Sequence, residues 1–211
     1  MGLFQKKINT GLHMPLYSLS ANKTVLIVGL GNPGKGYDGT RHNVGFAALD
    51  AFAAANDFPA WQDKKDLKCL LTSHILTDTK VILIKPTTFM NLSGEAVKAV
   101  QHFYKLTNAQ TLVVHDELDI PFGQIRSKTG GGTAGHNGVK SLVEHCGEDF
   151  MRLRVGIGPK LPPEIDSADF VLAKFSENQK KSEAALLNEV GVIITEYLAS
   201  DHLPAETRSF L

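Results

Sequence analysis

Four short stretches of this 211-residue chain concentrate side chains able to move protons or to hold polar groups. The first runs from Asn32-Pro33-Gly34 to Thr40-Arg41-His42-Asn43. The second is Lys85-Pro86-Thr87-Thr88-Phe89-Met90-Asn91-Leu92-Ser93-Gly94. The third is His115-Asp116-Glu117-Leu118-Asp119, and the fourth spans Lys128 to His136-Asn137-Gly138 through a three-glycine run. A neutral imidazole takes a proton from water near neutral pH. A carboxylate on its far nitrogen fixes the tautomer and steadies the imidazolium. Asparagine amides offer both donor and acceptor, suited to an attacking water, a carbonyl or an oxyanion. His42 with Asp116, and Asn32, Asn91 and Asn137 around them, therefore point to hydrolysis with water as nucleophile. No serine sits in a G-x-S-x-G elbow, so an acyl-enzyme fits less well. No H-E-x-x-H occurs among the eight histidines, and no metal site is expected.

Several elements must position these stretches. Residues 24–30 form a short apolar, β-branched run ending in glycine and read as a buried central strand. The segment from Gly29 to Arg41 carries five glycines and is a loop. Asn43 is placed to cap a helix over residues 44–55. Residues 68–76 and 80–85 read as paired strands. Ser93 is placed to cap a helix to about Lys105, with Ala96, Val97, Val100 and Tyr104 as its apolar stripe. Residues 111–115 read as a buried strand leading into the third stretch, and residues 124–128 as an exposed edge strand. Residues 139–146 read as a helix, residues 151–157 as a strand with Leu153, Val155 and Ile157 on one face, and residues 177–199 as a helix. Strands alternating with helices imply an α/β domain, with a mixed, mostly parallel sheet flanked by helices. Loops at the carboxyl ends of parallel strands converge on one crevice, where His42 and Asp116 would meet.

Bulk properties narrow the classes. The length suits one sizeable domain. Apolar residues make up 43% and charged residues 21% of the chain, an ordinary globular composition. Lys plus Arg and Asp plus Glu are 22 each, so any attraction for nucleic acid must come from a local patch. The two cysteines, Cys69 and Cys146, show no C-x-x-C spacing and read as reduced, buried and intracellular. No apolar run reaches membrane-spanning length. Residues 1–23, with three lysines and no acid, read as an N-terminal extension and a poor secretory signal; residues 24–211 form the folded unit.

Blander readings compete. Gly29-Leu30-Gly31-Asn32-Pro33-Gly34 matches G-x-G-x-x-G after a strand, and Asp50 sits about 20 residues on, as in a dinucleotide site. Two further glycines before Arg41 keep a helix from starting promptly, and Asp50 falls within the predicted helix. His42 alone could be a helix-start histidine, Asp116 a turn former, and Asn91 or Asn137 a cap. His115 competes with His42 for the carboxylate. Phe89 and Met90 read as packing, and Lys128 as a solvated surface lysine. A three-glycine run also lets backbone N–H groups approach a phosphate, which gives Lys128 beside it a use. Arg152 and Arg154 read as outward-facing edge protection.

The stretches VGLGNPGKGYDGTRHNVGF, KPTTFMNLSGEAV, VVHDELDIPFGQIRSKTGGGTAGHNGVKSL and RLRVGIG, with the later FVLAKFS, closely resemble the bacterial peptidyl-tRNA hydrolase family, in order and across nearly all of the chain past the extension. The resemblance implies a monomeric α/β enzyme, without metal or cofactor, that cleaves the ester between a peptide and the terminal ribose of tRNA, in the cytoplasm. It implies His42 as catalytic base and Asp116 as the carboxylate orienting it. It implies Asn32 and Asn91 as substrate-contacting asparagines, Asn137 as the one associated with the water and the tRNA end, and Tyr37, Phe89 and Met90 at the cleft. Lys128 would clamp the tRNA 5′ phosphate, Arg154 would add a second tRNA contact, and the tract from FVL onward would act as a lid. Two departures stand out. Ala134 replaces a glycine of the usual GGGxGGHNG run, and the turn between His145 and Phe150 is shorter. An RNA-binding module of the same fold without catalysis is the rival, and the intact His42, Asp116 and asparagine set speaks against it.

Overall fold

In the computed structural model, which describes residues 23–211, the first apolar run forms strand β1 (Lys23–Gly29), with its last five residues buried. The body of the expected extension, residues 1–22, lies outside the described residues. After β1 come α1 (Val44–Ala55), β2 (Gln62–Lys64), β3 (Cys69–Leu76), β4 (Thr79–Pro86) and α2 (Ser93–Tyr104). They are followed by β5 (Thr111–Pro121), β6 (Gln124–Thr129), α3 (Asn137–Cys146), β7 (Met151–Gly158), α4 (Ser167–Leu172), α5 (Glu177–Ser200) and β8 (Thr207–Ser209). The strands make one sheet in the order β2-β3-β4-β1-β5-β7-β6-β8. The central β4, β1, β5 and β7 are mutually parallel, and both wings are antiparallel. The sheet is thus mixed, with its parallel part confined to the centre.

Alternation along the strands divides the core between two faces. Val25, Ile27, Val114, Leu153 and Val155 pack against α1 and α5 on one face. Leu26, Val28, Ile82, Ile84 and Val113 pack against α2 and α3 on the other. Helix α1 approaches the sheet closely because Gly45 has no side chain. A Cβ there would overlap the Val114 carbonyl oxygen and lie 2.6 Å from the Leu30 nitrogen. That contact brings the turn before α1 over the carboxyl end of β5.

Four expectations are corrected. The stretch His115–Asp119 is strand rather than loop, because β7 runs beside it and pairs Asp116 with Val155 and Glu117 with Gly156 before a bulge. Asn43 makes no capping bond to α1. Ser93 is the first residue of α2, and its buried hydroxyl has no hydrogen-bond partner among the described residues. Strand β6 is not a free edge, since β8 pairs with Gln124 to Arg126 on its outer side. The sequence reading also lacked β2, α4 and β8, which are short and lie in polar segments.

Candidate active site

The carboxyl ends of β1, β4 and β5 and the start of α3 surround a cleft of about 770 Å³. Its lining includes Asn32, His42, Phe89, Met90, Asn91, Asp116 and Asn137, so seven of the ten expected site residues are brought together. Tyr37 packs edge-on to Phe89 at 6.3 Å and is not part of the lining. Lys128 and Arg154 lie outside it, on the sheet face beside α3.

Asp116 organises the centre. It is 3% exposed, and its carboxylate accepts from His42 Nδ1 at 2.9 and 3.0 Å. A nitrogen facing a carboxylate carries the proton, so the His42 Nε2 keeps its lone pair. A second imidazole shares the carboxylate: His136 Nε2 lies 2.9 Å from Asp116 Oδ1. The His136 Nδ1 accepts from the backbone N–H groups of Gly138 and Val139, which places the His136 proton on Nε2. His136 is therefore the N-cap of α3 and a second donor to Asp116 at once. Burial by itself pushes the Asp116 carboxyl up. The His136 and then the His42 contacts overcome that and hold it well below the usual carboxylate range.

His115 does not compete for Asp116. It is 1% exposed, and its Nδ1–H donates to the Asp116 backbone carbonyl at 2.7 Å. Burial pushes its pKa down to about 3, so it is neutral at ordinary pH. The free cysteines take no part either, because burial raises Cys69 to about 12 and Cys146 to about 11. A donor set for a metal does exist, since ligand atoms of His42, Asp116 and His136 lie within 4.8 Å of one another. The two imidazole nitrogens in that set are the ones protonated toward Asp116, so a cation there would have to displace both protons.

The loop after β1 is held by Asn43. Its Oδ1 accepts from Asn32 N at 2.9 Å and its Nδ2 donates to Asn32 O at 3.0 Å. Asn32 Oδ1 in turn accepts from Met90 N at 2.8 Å, tying the loops after β1 and β4 together. Its Nδ2 makes no hydrogen bond among the described residues. The dinucleotide reading fails on this geometry: α1 starts ten residues after Gly34, and Asp50 pairs with Lys85 at 2.6 Å.

Helix α4 walls the cleft with Asp166, Ser167, Ala168, Val171 and Leu172. Arg41, next to His42, pins it. Arg41 donates to the Phe170 carbonyl at 3.3 Å and to Gln179 Oε1 at 3.2 Å, and stacks 4.2 Å from the Phe170 ring. Glu117 also lines the cleft, with burial raising its carboxyl and Arg154 at 4.0 Å.

Register builds the basic surface. Strand β7 is interior, so Arg152 and Arg154 are not edge protection. Arg126 faces Arg154 and Lys128 faces Arg152 across the β6–β7 pair, which puts four cations in a square on one sheet face. Like charges directly opposite are unfavourable in a sheet. Among the described residues only Arg154 of the four has a carboxylate within 4.0 Å. Sequence reasoning missed His136, Arg41 and Arg152. For His136 a signal existed, its position just before a helix start; the partners of the two arginines are distant in sequence.

The peptidyl-tRNA hydrolase family profile matches residues 26–210. A peptidyl-tRNA hydrolase of Rhizobium etli is 52% identical over 134 residues, covering 64% of this chain and 55% of that protein. One of Frankia alni is 45% identical over 187 residues, covering 87% of this chain and 92% of its own length. The match thus spans about half the length of the rhizobial relatives and nearly all of the Frankia one. The crystal structure of peptidyl-tRNA hydrolase from Acinetobacter baumannii superposes with a TM-score of 0.74 at 35% identity, covering 83% of this chain and 91% of that one. With the profile extending from β1 to the last strand, this chain belongs to the peptidyl-tRNA hydrolase family.

Proposed function

We propose that the chain hydrolyses the ester between a peptide, or an N-blocked aminoacyl group, and tRNA, releasing tRNA for reuse in translation. The observation that carries this is the His42–Asp116 pair: the Nδ1 proton is committed to Asp116, and Nε2 is left basic in an asparagine-lined cleft. His42 Nε2 takes a proton from water, and the water oxygen bonds to the ester carbonyl carbon. The bond to the ribose 3′ oxygen then breaks, and that oxygen receives the proton from His42. Asp116 keeps the imidazole in one tautomer and steadies its charge. No metal or cofactor enters these steps.

Asn137 holds the water. Asn32, through its free Nδ2, and Asn91 hold the peptide backbone, which excludes a free α-amine and spares ordinary aminoacyl-tRNA. Phe89, Met90 and, at the mouth, Tyr37 flank the acyl group. Lys128 clamps the 5′ phosphate, and Arg126 and Arg154 take neighbouring phosphates of the acceptor end. Recognition then follows backbone shape, and affinity falls steeply with salt. Residues 24–211 are the catalytic domain, acting as a monomer in the cytoplasm. No helix among the described residues is long and apolar enough to cross a membrane.

The test is release of tRNA from N-acetyl-aminoacyl-tRNA by wild type and His42→Ala. Loss of turnover on substitution is expected. Unchanged turnover would remove His42 as the base, and a wild type that binds but does not cleave would make the chain an RNA-binding module.

A further inference from the structure

Arg152 has a larger part than its place beside Arg154 suggests. It is 2% exposed, and no carboxylate among the described residues lies within 4.0 Å of it. A buried cation without a counter-ion is unfavourable unless its donors are satisfied. Here the guanidinium lies 4.7 Å from the Phe150 ring, and its fork meets two successive carbonyls. Nη2 donates to Gly131 O and Nη1 to Gly132 O, each at 2.7 Å.

In a trans peptide the N–H points opposite to the C=O. With both carbonyls turned in toward Arg152, the N–H groups of Gly132 and Thr133 turn away from it. Gly131 has φ +90°, a conformation open to glycine. A Cβ on Gly131 would overlap the Lys128 ammonium, so that ammonium lies against the same loop. Outward backbone N–H groups beside a lysine form a cradle for an anion.

We propose that Arg152 is a positioning residue for tRNA binding: it templates the Gly131–Thr133 backbone so that two N–H groups and the Lys128 ammonium close on one phosphate. The inference rests on the reading that Lys128 meets a substrate phosphate. Arg152 itself stays buried and touches no substrate.

Kinetics of Arg152→Met, Arg152→Lys, Lys128→Ala and the Arg152→Met/Lys128→Ala pair test it. Two substrates are needed, N-acetyl-aminoacyl-tRNA and the N-acetyl-aminoacyl ester of adenosine, which lacks the phosphate. For the tRNA substrate, Arg152→Met should raise KM about tenfold and keep kcat within about twofold. The slope of log KM against log salt should fall by about 1. The adenosine ester should show no KM change. Arg152→Lys should resemble Arg152→Met, because one ammonium cannot hold two carbonyls in a fork. The double variant should raise KM by less than the product of the two single effects, because both act on one phosphate. Gly131→Ala, which leaves Arg152 intact and displaces the ammonium, should reproduce the KM effect even if an Arg152 variant folds poorly.

A KM rise shared by the adenosine ester, or full additivity with Lys128→Ala, overturns the proposal. If Lys128→Ala raises KM and neither Arg152→Met nor Gly131→Ala does, the positioning role alone fails. If Lys128→Ala leaves KM unchanged, the phosphate reading fails and the inference falls with it.

Discussion

Replacing His136 separates two jobs that one imidazole performs. His136 donates to a buried carboxylate at 2.9 Å and accepts from two N–H groups at the start of α3, at 3.1 and 3.2 Å. Losing a charge-assisted bond to buried Asp116 costs about 1.5–3 kcal/mol, and losing the cap costs about 0.5–2 kcal/mol. His136→Ala forfeits both, so its stability should fall by about 2–5 kcal/mol. Asparagine is a good cap but too short to reach Asp116, so His136→Asn should recover the cap share alone. In both variants Asp116 keeps only the His42 donor and is freer to rotate. Misplacing the proposed base by a fraction of an ångström should lower kcat about 10- to 100-fold, with KM little changed.

The pH dependence has a definite sign. The folded Asp116 carboxyl is depressed, so its contribution to stability is present above the unfolded value of about 3.9 and is lost as pH falls below it. Removing His136 weakens the depression, so the Asp116 contribution should shrink and be exhausted at a higher pH, with its onset still set by the unfolded value. Urea unfolding at several pH values and single-turnover release of tRNA from N-acetyl-aminoacyl-tRNA would measure both effects. Wild-type kcat in His136→Asn would refute the claim that His136 holds Asp116 in place. Equal stability of the Asn and Ala variants would refute the capping share.

Other expectations follow from single contacts. His115 stays neutral in the fold down to about pH 3, whereas an unfolded histidine binds its proton near 6.5. Stability should therefore fall as pH drops through 6.5, by up to about 1.4 kcal/mol per pH unit from this group; His115→Asn should flatten that slope in urea titrations, and an unchanged slope would sink the assignment. Ala134 sits at φ +48°, so its methyl is strained, and Ala134→Gly should raise Tm by about 1–3 °C in calorimetry. Arg41→Met keeps the packed stem but loses the bonds to Phe170 and Gln179. Amide hydrogen exchange in α4 should then quicken about tenfold or more, with exchange in β1 unaffected; uniform quickening would mean global destabilisation instead.

Much of the scaffold was legible in the sequence because its signals are local. Apolar β-branched runs marked β1 and the start of β5, and helix-forming composition and periodicity marked α1, α2 and α5, although the caps expected for α1 and α2 are not caps. Loop glycines and the polar residues after apolar runs exposed His42, Asp116 and the asparagines, since a crevice at the carboxyl ends of parallel strands needs polar side chains there. The tertiary structure alone decided the contacts whose partners are distant along the chain. It continued β5 through Asp116 because β7 supplied backbone partners, and it gave Asn43 to Asn32 rather than to its own helix. It set His136 and His42 on one carboxylate across 20 and 74 residues of chain. It buried Arg152 under a glycine loop whose carbonyls stand in for a counter-ion. Residue type fixes what a side chain can donate or accept, while long-range packing chooses its partner, because a buried polar group takes whichever complement the fold brings within 3 Å.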